Sequence, residues 1–167
     1  MKKLFEFFEV LKYIRILGSK EVLERIRKFP YDSLTGLYNR RAVDEFRGQE
    51  AGYSVVFIDL DRFKEVNDQR GYSEGDRVLR EFGSILKRYS RREDVFTRWG
   101  GDEFVVILPA AKKKEAESLI ERIRERAEMM NPPLNFSSGV IESDGREDLN
   151  NVILRASKLM QERKMSC

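Results

Sequence analysis

The 167-residue chain sets 32 Lys and Arg against 29 Asp and Glu, a net charge of +3, and it contains no histidine. Imidazole is therefore unavailable as base or ligand, and with Cys167 as the only cysteine a thiolate metal cluster, an internal disulfide and a Cys-His nucleophile are all excluded. No basic stripe interleaved with aromatics offers a footprint for nucleic acid. Any metal must sit among oxygens, which points to Mg²⁺, Mn²⁺ or Ca²⁺. Catalysis must then use carboxylates, Lys, Arg, hydroxyls or metal. At 41% hydrophobic the chain can bury the core of one ordinary domain with an appendage.

The first 29 residues read as helical. Leu4, Phe7, Leu11 and Ile14 recur at spacings of three and four, a short stripe suited to packing on the domain or to pairing with a second copy. Glu6, Glu9, Lys12 and Arg15 interrupt it too often for a membrane span, so no signal peptide or transmembrane segment is expected and the setting is cytoplasmic. Ser19 can cap a second helix carrying Leu23 and Ile26, and Pro30 ends it. The expected division is a helical segment over 1–29 and a domain over 30–167.

From Tyr31 onward helices and strands alternate. Arg41 to Arg47 reads as a short helix, and Tyr53 to Ile58 as a buried strand. Asp61 to Gln69 and Ser73 to Tyr89 read as helices, the latter with Val78, Leu79, Phe82, Ile85 and Leu86 at helical spacing. A hairpin follows around Gly100-Gly101. Ala116 to Met130 is an amphipathic helix stopped by Pro132-Pro133, Leu134 to Ile141 a strand, and Leu149 to Met160 a last helix. The pattern predicts an α+β or mixed sheet with helices packed on it.

In Arg98-Trp-Gly-Gly-Asp-Glu-Phe104 two glycines free the backbone to turn tightly, which places Asp102 and Glu103 at a sheet tip where a ligand can approach. Carboxylates there are costly unless solvated, paired or metal-bound. The strand at 53–58 runs into Asp59-Leu-Asp61 and then a helix. An acid at that point suits a metal, and the helix start offers N–H groups and a positive dipole end to phosphate, with Lys64 in the first turn. The plain alternative makes Asp61 a helix N-cap and Asp59 a solvated acid. If the strands are neighbours, Asp59 and Asp102 share divalent cations that bridge substrate phosphates, an arrangement needing no histidine. Asn67 and Asp76 suit a purine edge, since guanine donates from N1–H and N2–H₂. Alternatively, Asp76 is a first-turn acid facing the helix dipole.

Taken in order, Asp32-Ser-Leu-Thr-Gly-Leu-Tyr-Asn-Arg40, Asp59-Leu-Asp-Arg-Phe-Lys-Glu-Val-Asn-Asp68, Gly71-Tyr-Ser-Glu-Gly-Asp76 and Arg98-Trp-Gly-Gly-Asp-Glu-Phe104 resemble the motifs of the GGDEF domains of diguanylate cyclases. The resemblance runs from Asp32 through the last helix. It implies an α+β sandwich like the nucleotidyl cyclase core, ferredoxin-like, with a central, largely antiparallel sheet flanked by helices. It also implies a homodimer of facing domains, each holding one GTP. Each 3′-hydroxyl would attack the α-phosphate of the opposite GTP, releasing pyrophosphate and closing cyclic di-GMP, a bacterial second messenger. By motif position, Asp59, Asp102 and the Leu60 carbonyl would hold two Mg²⁺ or Mn²⁺ per active site. Glu103 would help bind metal or activate the hydroxyl. Phe63 and Lys64 would hold the β- and γ-phosphates, with Lys164 adding charge, and Asn67 and Asp76 would read guanine. Arg91-Arg-Glu-Asp94 matches the family's RxxD inhibitory site, with Arg91 on phosphate or guanine and Asp94 on the base edge.

The chain departs from the family pattern in places. Tyr72 stands where the family usually has His. Ala156-Ser-Lys-Leu-Met-Gln-Glu-Arg-Lys164 keeps the helix and Lys164 but lacks the usual Asp and Tyr, which implies either a weaker grip on the triphosphate or Arg163 and Lys164 as substitutes. Ser137-Ser-Gly139-Val140 resembles the usual Ser-x-Gly strand. The alternative to a product-inhibited cyclase is a catalytically weak domain that senses cyclic di-GMP through Arg91 and Asp94, or a GTP-binding interaction domain.

Overall fold

Tyr53–Leu60 carries apolar and β-branched side chains on both of its faces, as a strand covered by helices on both sides must. The computed structural model describes residues 31–44 and 52–165. The helical readings at 1–29 and at 45–47 lie outside the described residues. In chain order the elements are β1 (Tyr38–Asn39), α1 (Arg40–Asp44), β2 (Tyr53–Leu60), α2 (Phe63–Arg70), α3 (Tyr72–Tyr89), β3 (Val95–Arg98), β4 (Glu103–Pro109), α4 (Lys113–Glu128), β5 (Phe136–Ser143) and α5 (Leu149–Met165). The sheet runs β1-β3-β4-β2-β5. β1 lies parallel to β3, and every other pairing is antiparallel. This is the expected α+β sandwich with a largely antiparallel sheet.

Strand alternation sorts the core into two layers. Val56, Ile58, Leu60, Phe104 and Val106 pack against α3 and α4 on one face, while Tyr53, Val55, Phe57, Val105 and Ile107 pack against α5 on the other. Phe82 of α3 meets Phe104 edge-on, with ring centres 5.1 Å apart, and Phe136 at 5.5 Å. Such aromatic pairs contribute about 1 kcal/mol beyond the area they bury. At Gly139 of β5 an added Cβ would collide with the Ala156 carbonyl and stand 2.7 Å from the Met160 amide. The bare backbone there lets α5 lie directly on the strand, which fixes where the end of α5 reaches.

Two helix starts beside the candidate site differ from the sequence reading. α2 begins at Phe63 rather than Asp61, because Arg62 takes a left-handed backbone (φ 54°) and the Asp61 N–H donates to the Asn135 carbonyl at 3.0 Å. α3 begins at Tyr72, so Asp76 falls in its second turn and Glu74 is the acid of the first. Asp76 is therefore not the helix-dipole partner that one reading proposed.

Candidate active site

Register places the first acids. Asp59 stands opposite Glu103 of β4 and opposite Ser137 of β5. By alternation Asp59 and Glu103 share the α5 side of the sheet. The Leu60 N–H donates to the Asp102 carbonyl at 3.1 Å, tying the hairpin turn to the end of β2. Asp59, Leu60, Asp102 and Glu103 thus gather at one sheet edge, as the neighbouring-strand reading required.

The turn itself differs in its reason from the sequence reading. Trp99 and Gly100 N–H groups both donate to the Glu103 carbonyl, at 2.8 and 3.2 Å. Neither Gly100 nor Gly101 is among the glycines with positive φ. A Cβ on Gly100 would instead stand 2.6 Å from Glu103 Oε2. Gly100 clears room for a carboxylate more than it permits a turn.

Charge at this edge is strongly coupled. The Lys164 ammonium, from the end of α5, pairs with Asp59 and lies 3.7 Å from Asp61. Partial burial opposes the Lys164 charge, but its hydrogen bond to Asp59 and the nearby charges of Asp59, Asp61 and Asp102 hold its pKa above the ordinary lysine value. Arg163 does not join it and donates instead to the Ser138 carbonyl at 3.4 Å. Asp61 accepts from Ser137 Oγ at 2.8 Å and caps no helix, which sets aside the N-cap reading. Burial, with repulsion from Asp59 and Asp102, pushes the Glu103 pKa up, while the charges of Arg40 and Lys164 restrain the rise.

The donors suit a hard cation. Among the described residues no three carboxylates stand close enough to hold a metal ion by themselves. Mg²⁺ is ordinarily held by one or two carboxylates together with substrate phosphates and water, so Asp59 and Asp102 with the Leu60 carbonyl would be enough protein donors for such a cation. Lys164 already demonstrates that the edge attracts positive charge.

The start of α2 lies beside this edge. The Phe63 ring is buried in the core, so it can offer a phosphate only its N–H, one of the first-turn groups without an intrahelical acceptor. Lys64 next to it is exposed. From the middle of α2 the Asn67 side chain presses on Gly75 of α3, where a Cβ would collide with its amide. Asp76 follows immediately, with Arg80 at 3.5 Å. Asn67 and Asp76 thus occupy one corner between the two helices, and Tyr72 stands 81% exposed where α3 begins.

Two features escaped the sequence reading. Asp32 accepts from the Thr35 N–H and hydroxyl at 2.8 and 2.7 Å and from Arg98 Nη1 at 3.2 Å. Burial opposes the Asp32 charge, but these bonds and the Arg98 charge more than offset it and hold its pKa below the ordinary value. Arg98 also donates to the Gly101 carbonyl from Nε and Nη2, at 3.1 and 2.7 Å. It thereby fastens the turn to the start of the domain. Both residues lie inside the quoted motifs, but nothing in the sequence marks them as partners. Beside them is an open cleft of about 480 Å³ bordered by Asn39, Arg40, Arg41, Trp99 and the glycine turn.

The second is Arg122. Arg91 and Asp94 line a separate cleft of about 370 Å³ together with Tyr89, Lys114, Ser118 and Arg122. The Arg91 N–H donates to Asp94 at 2.7 Å, and burial still raises the Asp94 pKa against that bond and the Arg91 charge. Arg122 stacks on Tyr89 with its guanidinium 4.9 Å from the ring centre. In the sequence it is one of many charges on the polar face of α4.

Comparison with known proteins agrees with this geometry. A family model described as diguanylate cyclase, GGDEF domain matches residues 30–166. The chain is 34% identical over 148 residues to diguanylate cyclase DgcM of Escherichia coli, covering 80% of this chain and 36% of that protein. It therefore spans about a third of that relative's length. Among solved structures it is similar to diguanylate cyclase SiaD of Pseudomonas aeruginosa, solved with its activator SiaC, at TM-score 0.79 and 27% identity, covering 99% of this chain and 70% of that one. It is similar also to the GGDEF domain of DgcB from Caulobacter crescentus in complex with c-di-GMP, at TM-score 0.75 and 26% identity, covering 81% and 90%. With the family model spanning most of the chain and its motifs meeting at one sheet edge, the chain belongs to the GGDEF family of diguanylate cyclase domains.

Proposed function

We propose that two facing copies of this chain condense two GTP into cyclic di-GMP and pyrophosphate. The observation that carries the reading is the β2–β4 register, which sets Asp59 opposite Glu103 and bonds Leu60 to Asp102. Asp59, Asp102 and the Leu60 carbonyl would hold two Mg²⁺ or Mn²⁺ per site, and bound metal would supply charge stabilisation at the phosphates. Lys64, the N–H groups opening α2 and Lys164 neutralise the β- and γ-phosphates. Asn67 and Asp76 read the guanine edge, which selects GTP. In each half-reaction a 3′-oxygen bonds to the α-phosphorus of the other GTP and the bond to pyrophosphate breaks. Glu103, whose pKa is raised by burial and by its acidic neighbours, would take the hydroxyl proton. The relative named a diguanylate cyclase and the neighbour solved with c-di-GMP support the same substrate and product. Among the described residues no helix is long and apolar enough to cross a membrane, and the cytoplasm, where GTP is made, is the proposed setting.

A second reading rests on the cleft of Arg91, Asp94 and Arg122, which none of the acid-edge residues lines. We propose that it binds cyclic di-GMP. In an active enzyme this is product inhibition, and in a weak one it makes the chain a receptor. Incubation with GTP and Mg²⁺ over a protein-concentration series separates the two. Product formed at a rate rising faster than linearly with protein, and abolished in Asp102→Ala, supports the cyclase. Absence of product, with tight cyclic di-GMP binding lost in Arg91→Ala, supports the receptor. Unchanged turnover in Asp102→Ala refutes the site assignment.

A further inference from the structure

The cleft beside the Gly100-Gly101 turn has no part in the site as proposed, yet its cations fall into two kinds. Arg98 is neutralised by Asp32, with side chains only 16% and 20% exposed. Arg40 and Arg41 are exposed and make no ion pair with any described carboxylate. Arg40 is nevertheless held in position, its guanidinium carbon 4.4 Å from the centre of the Trp99 ring. A cation–π contact fixes a charge without cancelling it, whereas a carboxylate partner cancels it.

We infer that Arg40 and Arg41 form an anion-binding cleft that receives the phosphate groups of the nucleotide carried by a second copy of the chain. This rests on the cyclase reading. There each copy's own triphosphate lies at the start of α2, and the reacting nucleotide arrives from outside, over the turn that carries Asp102 and Glu103. Those acids repel an incoming triphosphate. Two exposed guanidiniums on the other side of the turn, neither ion-paired among the described residues, offset the repulsion, and their planar forks match phosphate oxygens in pairs. The Arg40 charge already reaches Glu103 across this distance. No heavy atom lies within 4 Å of where a Gly101 Cβ would be, so the path over the turn is open.

Trp99 is the chain's single tryptophan and borders this cleft, so selectively excited tryptophan emission reports on it. The full chain is titrated with inorganic triphosphate, which cannot be cyclised, while Trp99 emission is followed. A saturable change is expected, with affinity about tenfold weaker in R40Q and in R41Q, the loss of one charge-assisted contact. Lys64→Gln, which weakens the phosphate site at α2, should leave the titration unchanged. In parallel, R40Q and R41Q should lower cyclic di-GMP synthesis about tenfold at sub-saturating GTP. No saturable change, equal affinity in R40Q and R41Q, or equal loss in Lys64→Gln overturns the cleft as a phosphate site. An arginine-dependent titration with unchanged synthesis overturns its part in the reaction. An arginine-dependent titration in a wild-type chain that makes no cyclic di-GMP overturns the cyclase reading, and with it the second copy's nucleotide, but leaves the anion cleft standing.

Discussion

The acid edge and the Arg91–Asp94 cleft are built by different means. At the edge, backbone hydrogen bonds do the placing: Asp59 faces Glu103 because β2 pairs with β4, and Asp102 sits at Leu60 because its carbonyl accepts that N–H. At the cleft, side chains from the end of α3, the loop after it and one face of α4 converge with little backbone between them. A site set by register moves only if the sheet moves. A site set by side chains can be retuned one residue at a time, at little cost to the fold. On the proposed function, this division would let the chemistry stay fixed while the response to product is adjusted.

The contrast can be broken first at Gly139. Gly139→Ala forces α5 away from β5, with a Cβ 2.7 Å from the Met160 amide. It should cost roughly 2–3 kcal/mol in denaturant unfolding. Turnover of the protein that remains folded should also fall, because Lys164 leaves Asp59. A wild-type unfolding midpoint would mean that the helix is not fixed in this way. Next in size is Arg122→Ala. It should weaken cyclic di-GMP binding by calorimetry about tenfold, with initial cyclase rate and Tm unchanged. A shift in Tm comparable to that of Gly139→Ala would erase the distinction between the two regions.

The smallest effect sharpens the comparison at the edge itself. The Glu103 pKa lies above the ordinary glutamate value in the folded chain. A raised carboxyl pKa means that the fold gains stability from this group when it is protonated, and loses that gain as pH rises through the folded pKa. Glu103→Gln should therefore raise Tm at pH 7 by roughly 1–2 °C, modestly because the group is half-solvated. The difference should vanish below the ordinary glutamate value of about 4.3, where both side chains are neutral. A Glu103→Gln variant less stable than wild type at pH 7 would contradict the repulsion from Asp59 and Asp102.

The same contrast explains what could be read from the sequence. The apolar run along Tyr53–Ile58 and the helical spacing of Val78, Leu79, Phe82 and Leu86 are local signals, and they gave β2 and α3 to within two residues. The Asp59 and Asp102 pair was legible because strand ends and turns announce themselves. The start of α2 was misplaced because the left-handed backbone of Arg62 leaves no mark in composition. Gly100 was read as a turn residue when its service is to make room for a side chain three positions on. Arg122 and the Asp32–Arg98 clamp were invisible because their partners are distant in sequence and lysine and arginine are everywhere in this chain.

The pairing of Lys164 with Asp59 gives the chain a counter-ion of its own at the acid edge. On the proposed function, a divalent cation would not enter a bare negative site: it would compete with the ammonium already there, and the displaced lysine would be free to meet the phosphates. Binding would then be an exchange in which net charge at the edge changes little, favouring metal and nucleotide together over metal alone.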